Sequence, residues 1–131
     1  MAWEGTHEDN LIFSGIADDD FRETGGFGAH LFVTGAAEDH FTLGVGPGSS
    51  GLIGVVITDP AAGGHGSVVL AGITKVICGS AFAVWADVTC SASGRAMPIS
   101  SGDTIMGTAL SAGETDGYAT ILVRRQVPNP I

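Results

Sequence analysis

"SGLIGVVITDPAAGGHGSVVLAG", residues 50–72, and "GDTIMGTALSAGETDGYATILVRR", residues 102–125, read as one hairpin written twice. Each carries an apolar residue, a Gly, and then small or branched residues: Gly54-Val55-Val56-Ile57 in the first, Gly107-Thr108-Ala109-Leu110 in the second. Each turns through Asp, Pro, Ala or Gly and returns through another Gly into an apolar run, Val68-Val69-Leu70 or Ile121-Leu122-Val123. Gly inside an apolar strand marks a bulge, a sharp bend or a close backbone approach. A small sheet that curls on itself needs such bends at matching corners. The two hairpins are then two sides of one closed β-barrel or sandwich. The competing reading is a chance likeness between Gly- and Ala-rich apolar runs.

Composition supports an all-β chain. At 131 residues there is room for one domain, and 44% hydrophobic against 15% charged residues describes a folded protein. The 21 Gly, spread between short apolar runs, read as many tight turns. Candidate strands fall at 29–34, 40–45, 52–58, 67–77, 87–91, 95–99, 104–110 and 117–125, joined by Asp59-Pro60, Gly63-Gly64, Ser93-Gly94 and Asp116-Gly117. Residues 1–28 show no clear period and hold isolated large apolar residues, so they are expected to form an extended acidic N-terminal arm. The expected layout is that arm (1–28), a β-barrel domain of short antiparallel strands (29–125) and a Pro-punctuated tail (126–131).

Charge limits the partners. Nine of the 14 acids lie in residues 1–39 against one base, Arg22, and the net charge is -9. That charge repels phosphate backbones, and no Lys/Arg stripe offsets it, so nucleic acid is not an expected partner. No apolar run is long enough to span a membrane as a helix, and "MAWEGTHEDN" lacks a basic and apolar leader, so synthesis in a cytosol is expected. Cys78 and Cys90 sit in apolar strand-like runs and read as buried free thiols, a bridge between them being the alternative.

The 67–77 run does not alternate. Val68, Val69, Leu70, Ile73, Val76 and Ile77 place branched side chains on both faces, and a two-sided apolar strand needs a second cover. A neighbouring copy around a closed cyclic axis would supply it; otherwise the chain covers both faces itself.

From 41 to 123 the chain resembles a family of small tailed-phage capsid decoration, or cement, proteins. The likeness runs through Gly54, Val55, Asp59, Ala61, Ala62, Gly63, Gly72 and Ile73, then Asp87, Val88, Gly94, Gly102, Asp103, Gly107, Ala109, Leu110, Gly117 and Val123. It departs at "VWAD", where Trp85 and Ala86 replace the usual Gly before Asp87, and the acidic arm lies outside it. The resemblance implies a structural, β-rich homotrimer without a cofactor. Its partner would be the major capsid protein, bound on the outer surface of the mature virion head. An oligomeric fibre or tail module and a small-ligand-binding β-barrel are the alternatives.

Contacts with the capsid or a neighbouring subunit are expected at Trp3, Phe13 and Phe21, since aromatic anchors dominate interfaces. Those aromatics could equally cap the chain's own barrel. Arg124 and Arg125 could pair with acids across an interface or form a solvated strand end, and Trp85 fits either an interface or the core. Catalytic constellations are missing: no H-x-H or H-x-x-x-H pairs occur among His7, His30, His40 and His65, and no G-x-S-x-G elbow surrounds any Ser. "GVGPGSSG" lacks the Lys of a phosphate loop, and the acids at 18–20 read as a solvated face. Neither a metal nor an enzymatic activity is expected.

Overall fold

Nine strands carry the chain: β1 (Leu11–Ala17), β2 (Leu31–Gly35), β3 (His40–Leu43), β4 (Leu52–Val56), β5 (His65–Ile77), β6 (Asp87–Cys90), β7 (Ala96–Pro98), β8 (Ile105–Ala109) and β9 (Tyr118–Gln126). They are seen in a computed structural model that describes residues 10–22, 27–46 and 51–126, without the side chains of residues 125 and 126. Among the described residues there is no helix. The all-β expectation holds, and each of the eight anticipated strands overlaps one observed strand, β2 to β9.

The sheet runs β1-β3-β2-β4-β5-β9-β8-β6-β7, and β1 returns to pair with β5. That return closes β1, β3, β2, β4 and β5 into a five-stranded barrel. β5 is long enough to serve two bodies. Its residues 65–71 pair with β1, and its residues 72–77 pair with β9. A parallel bridge between Cys78 and Ala96 brings the far edge, β7, back against the end of β5.

Both corner glycines act as their sequence positions suggest. A Cβ on Gly54 would lie 2.1 Å from the Val69 carbonyl oxygen, and one on Gly107 would lie 2.5 Å from that of Leu122. Only Gly lets the backbones approach so closely. The ladders slip beside each: β2 shifts against β4 after Val33, the partner of Gly54, and β8 shifts against β9 between Ile105 and Gly107. The repeat is therefore a repeated bend.

β5 also accounts for its missing alternation. Val68 faces one buried cluster with Phe21, Val33, Phe41 and Val56. Val69 and Val76 face a second cluster with Phe32, Leu52, Met106 and Ile121. At Val68, Val69 and Val76 the second cover is supplied by the chain itself, whereas Leu70, Ile73 and Ile77 stay partly exposed. At about 25 cal/mol per Å² of apolar surface, burying such side chains on both faces is the main force holding the fold.

β1 lies within the stretch expected to form an arm, and the pattern of its residues gave no sign of a strand. Its backbone pairs antiparallel with β5 and, through Ile16 and Ala17, parallel with β3. Just before it, the Asn10 side chain grips Ile73: its Nδ2 donates to the Ile73 carbonyl (3.1 Å), and the Ile73 N–H donates to Asn10 Oδ1 (3.0 Å).

Candidate interaction surfaces

Val84 and Trp85 form the tip of the loop between β5 and β6. Three backbone hydrogen bonds fix the tip. Trp85 N–H donates to the Ala109 carbonyl (2.7 Å), Ala109 N–H to the Ala86 carbonyl (2.8 Å), and Ala86 N–H to the Ala83 carbonyl (3.2 Å). Trp85 has φ 70, a left-handed conformation that is uncommon for a bulky residue. Its side chain is 70% exposed. Strain of this kind persists only where the surroundings enforce it, and it clusters at functional sites. The result is a Trp with a pinned backbone and a ring standing in water, outside the core of its own chain.

At the other end of β6, Phe27, Leu31, Leu43, Ser93 and Arg95 line a hollow of about 230 Å³. Phe27, 49% exposed, forms one wall and is held edge-on against Phe21, with ring centroids 5.7 Å apart. Leu31 is buried beneath. Arg95 is anchored by Asp116, whose carboxylate accepts from Nη1. The Ser93 hydroxyl lies 3.2 Å from that of Ser91. Sequence gave no hint of the hollow, because its residues come from turns that lie far apart along the chain.

The remaining expected contacts fall differently. Phe21 is fully buried, packed on Phe27 and Phe41, so this candidate docking anchor is a core residue with no surface to offer. Phe13 is half-buried against the same cluster. Arg124 turns back into its own chain. Its Nη2 lies 3.1 Å from Asp87 Oδ1, and Nε and Nη2 donate to Thr108 Oγ1 at 3.1 and 2.7 Å. An ion pair this exposed contributes about 1 kcal/mol or less. Trp3 and the Arg125 side chain lie outside the described residues.

The acidic stretch is also internally engaged. Asp18 Oδ1 lies 2.7 Å from His40 Nδ1, and Asp19 accepts from the Thr42 hydroxyl and from Leu43 N–H (2.8 Å). Asp20 pairs with Arg22, whose hydrogen bonds pull its carboxyl down to a pKa of about 2. These acids tie the end of β1 to β3 and to the following loop.

Both cysteines are free and buried, as anticipated. Burial pushes the Cys90 thiol up to about 11 and raises that of Cys78, so neither is a nucleophile near neutrality. His30 sits at the seam of the fold with φ 67. Its N–H donates to the Val56 carbonyl (2.7 Å), its carbonyl accepts from Ile77 N–H (2.9 Å), and its ring stands edge-on to Tyr118 at 5.6 Å. Burial lowers its pKa, and nearby Lys75 adds repulsion, although a hydrogen bond to the Lys75 backbone partly opposes the shift. The Nδ1 atom is buried without a partner.

A β-body with pinned apolar and aromatic surface features, and buried, unreactive thiols, has the make-up of a structural module. The family model for phage cement proteins matches residues 27–125, and the chain belongs to that family. Its fold is similar to the crystal structure of the head fibre gp8.5 N base in bacteriophage phi29. The TM-score is 0.65 at 19% identity, over 89% of this chain and 96% of that one. At that identity the likeness is one of fold. No curated protein matches the chain.

Proposed function

We propose that this protein decorates the outer surface of a mature phage head as a homotrimer and stabilises the shell by bridging subunits of the major capsid protein. One observation carries the reading: the cement-protein match spans residues 27–125, which include β2 to β8 and all of β9 but its last residue. Attachment through several copies of one symmetric oligomer raises effective affinity well beyond that of each contact. A ligand that binds only the expanded shell stabilises that state by mass action. Trp85 supports the reading as an exposed anchor, and Trp3 and Arg125 are proposed as further contacts. Synthesis in the host cytoplasm precedes attachment. The hollow beside Phe27, at about 230 Å³, is smaller than the roughly 300 Å³ at which small-molecule sites begin, so it does not favour a ligand carrier.

The test mixes purified protein with undecorated expanded heads and with immature heads, then sediments both. Co-sedimentation with expanded heads alone is expected, together with greater resistance of those heads to heat. Protein left wholly in the supernatant would overturn the proposal.

A further inference from the structure

We infer that copies of this chain join head to tail, with Trp85 of one copy seated in the hollow formed by Phe27, Leu31, Leu43, Ser93 and Arg95 of the next. The inference rests on the homotrimer reading above and assigns the contact that makes it.

Size is the first ground. The hollow, about 230 Å³, is too small for most metabolites and suits one large aromatic side chain. Chemistry is the second. Phe27 and Leu31 offer apolar walls, the Arg95 guanidinium can lie against an indole face as a cation–π partner, and the Ser93 hydroxyl oxygen can accept from the indole N–H. Arg95 is paired with Asp116, and Phe27 packs on Phe21, so two walls of the hollow are in position before anything enters. The backbone of the Trp85 tip is likewise pinned, by Trp85 N–H donating to the Ala109 carbonyl and Ala109 N–H donating to the Ala86 carbonyl. Two preformed parts meet with little ordering cost.

Placement is the third ground. Trp85 precedes β6 by two residues, and Ser93 and Arg95 follow it by three and five. Knob and hollow therefore lie at opposite ends of one four-residue strand, and no copy can fill its own hollow. A contact between unlike surfaces propagates from copy to copy and ends only when rotation closes a ring. Val84, next to the knob in the chain, and Val45, two residues after Leu43, are both exposed apolar residues.

The experiment measures mass in solution by sedimentation equilibrium for the full chain and two variants. Trp85→Ala removes the knob, and Ser93→Phe fills the hollow from an exposed turn position. Each is expected to weaken self-association about thirtyfold or more, the scale of an interfacial Trp hot spot, with an unchanged far-ultraviolet spectrum. Mixed together, the two variants retain one intact knob and one intact hollow, so the mixture is expected to form pairs and no larger ring. A full chain that is a monomer would overturn the homotrimer and this contact together. Oligomers that survive both substitutions would overturn the contact alone. Intact oligomers of Trp85→Ala that no longer bind expanded heads would reassign the knob to the shell. Loss of association in each variant without pairing in the mixture would show that the two surfaces do not meet.

Discussion

The hairpins β4–β5 and β8–β9 share a corner and differ in what surrounds it. In both, a Gly brings one backbone so close to the next that no side chain fits between, beside the Val69 carbonyl in the first and the Leu122 carbonyl in the second. The returning strands β5 and β9 are each paired on both edges, but around the first corner Val69 is completely buried. Around the second, the corresponding Leu122 is 37% exposed, and Tyr118 at the start of the same strand is 57% exposed. Local sequence therefore sets curvature, while what packs over the sheet decides which face is wet. One repeated unit provides the barrel wall in the first copy and an outward face in the second.

Substitution at the two corners should give the largest effects. Gly54→Ala is expected to cost about 3 kcal/mol, because the obstructing atom is backbone and closer; Gly107→Ala should cost about 2. Urea unfolding of the two variants measures this, and equal, small losses would mean that neither corner is tightly closed. Next come the paired return positions. Val69→Ala should lose about 2 kcal/mol as a buried side chain, and Leu122→Ala roughly 0.5 as a surface one. Equal losses in thermal melts would erase the distinction between a covered and an open face.

His30 tests the seam where β4, β5 and β9 meet. Its pKa is lowered in the fold, so the folded state favours the neutral ring and the unfolded chain takes up the proton first. Stability from this group is complete above the ordinary histidine value of about 6.5 and falls as pH drops through it toward the lower folded value. His30→Asn tolerates the positive φ and removes the titration, so its melting temperature should fall less than that of the unaltered protein between pH 7 and pH 5. Parallel curves would mean that the ring titrates freely. The smallest effect belongs to Arg124→Ala, expected to cost under about 1 kcal/mol because its pair with Asp87 is partly exposed. A loss above 2 kcal/mol in the same melts would show that the pair braces the outward face.

Much of the fold could be read from the chain because Gly, Asp-Pro and Ser-Gly punctuate it where the backbone turns. β1 was hidden for a physical reason. Its exposure does not alternate, since it closes the barrel between β5 and β3 with a half-covered outer side, and Phe13 and Ile16 are both half-buried. The candidate surfaces were less legible. Phe21 and Trp85 are both large and aromatic, and nothing local to them says that one lies in a core and the other at a pinned loop tip. The hollow had no signature, since residues 27, 43 and 95 meet only after the barrel closes. Arg124 looked free because its partners, Asp87 and Thr108, come from two other strands.

The amide clasp of Asn10 on Ile73 has a practical corollary. Any peptide or label grafted ahead of that residue would spring from one reproducible spot on the rim of the barrel, fastened by two bonds instead of one. On a shell covered with many copies, that spot would repeat at regular intervals, giving a lattice of attachment posts whose spacing the particle dictates.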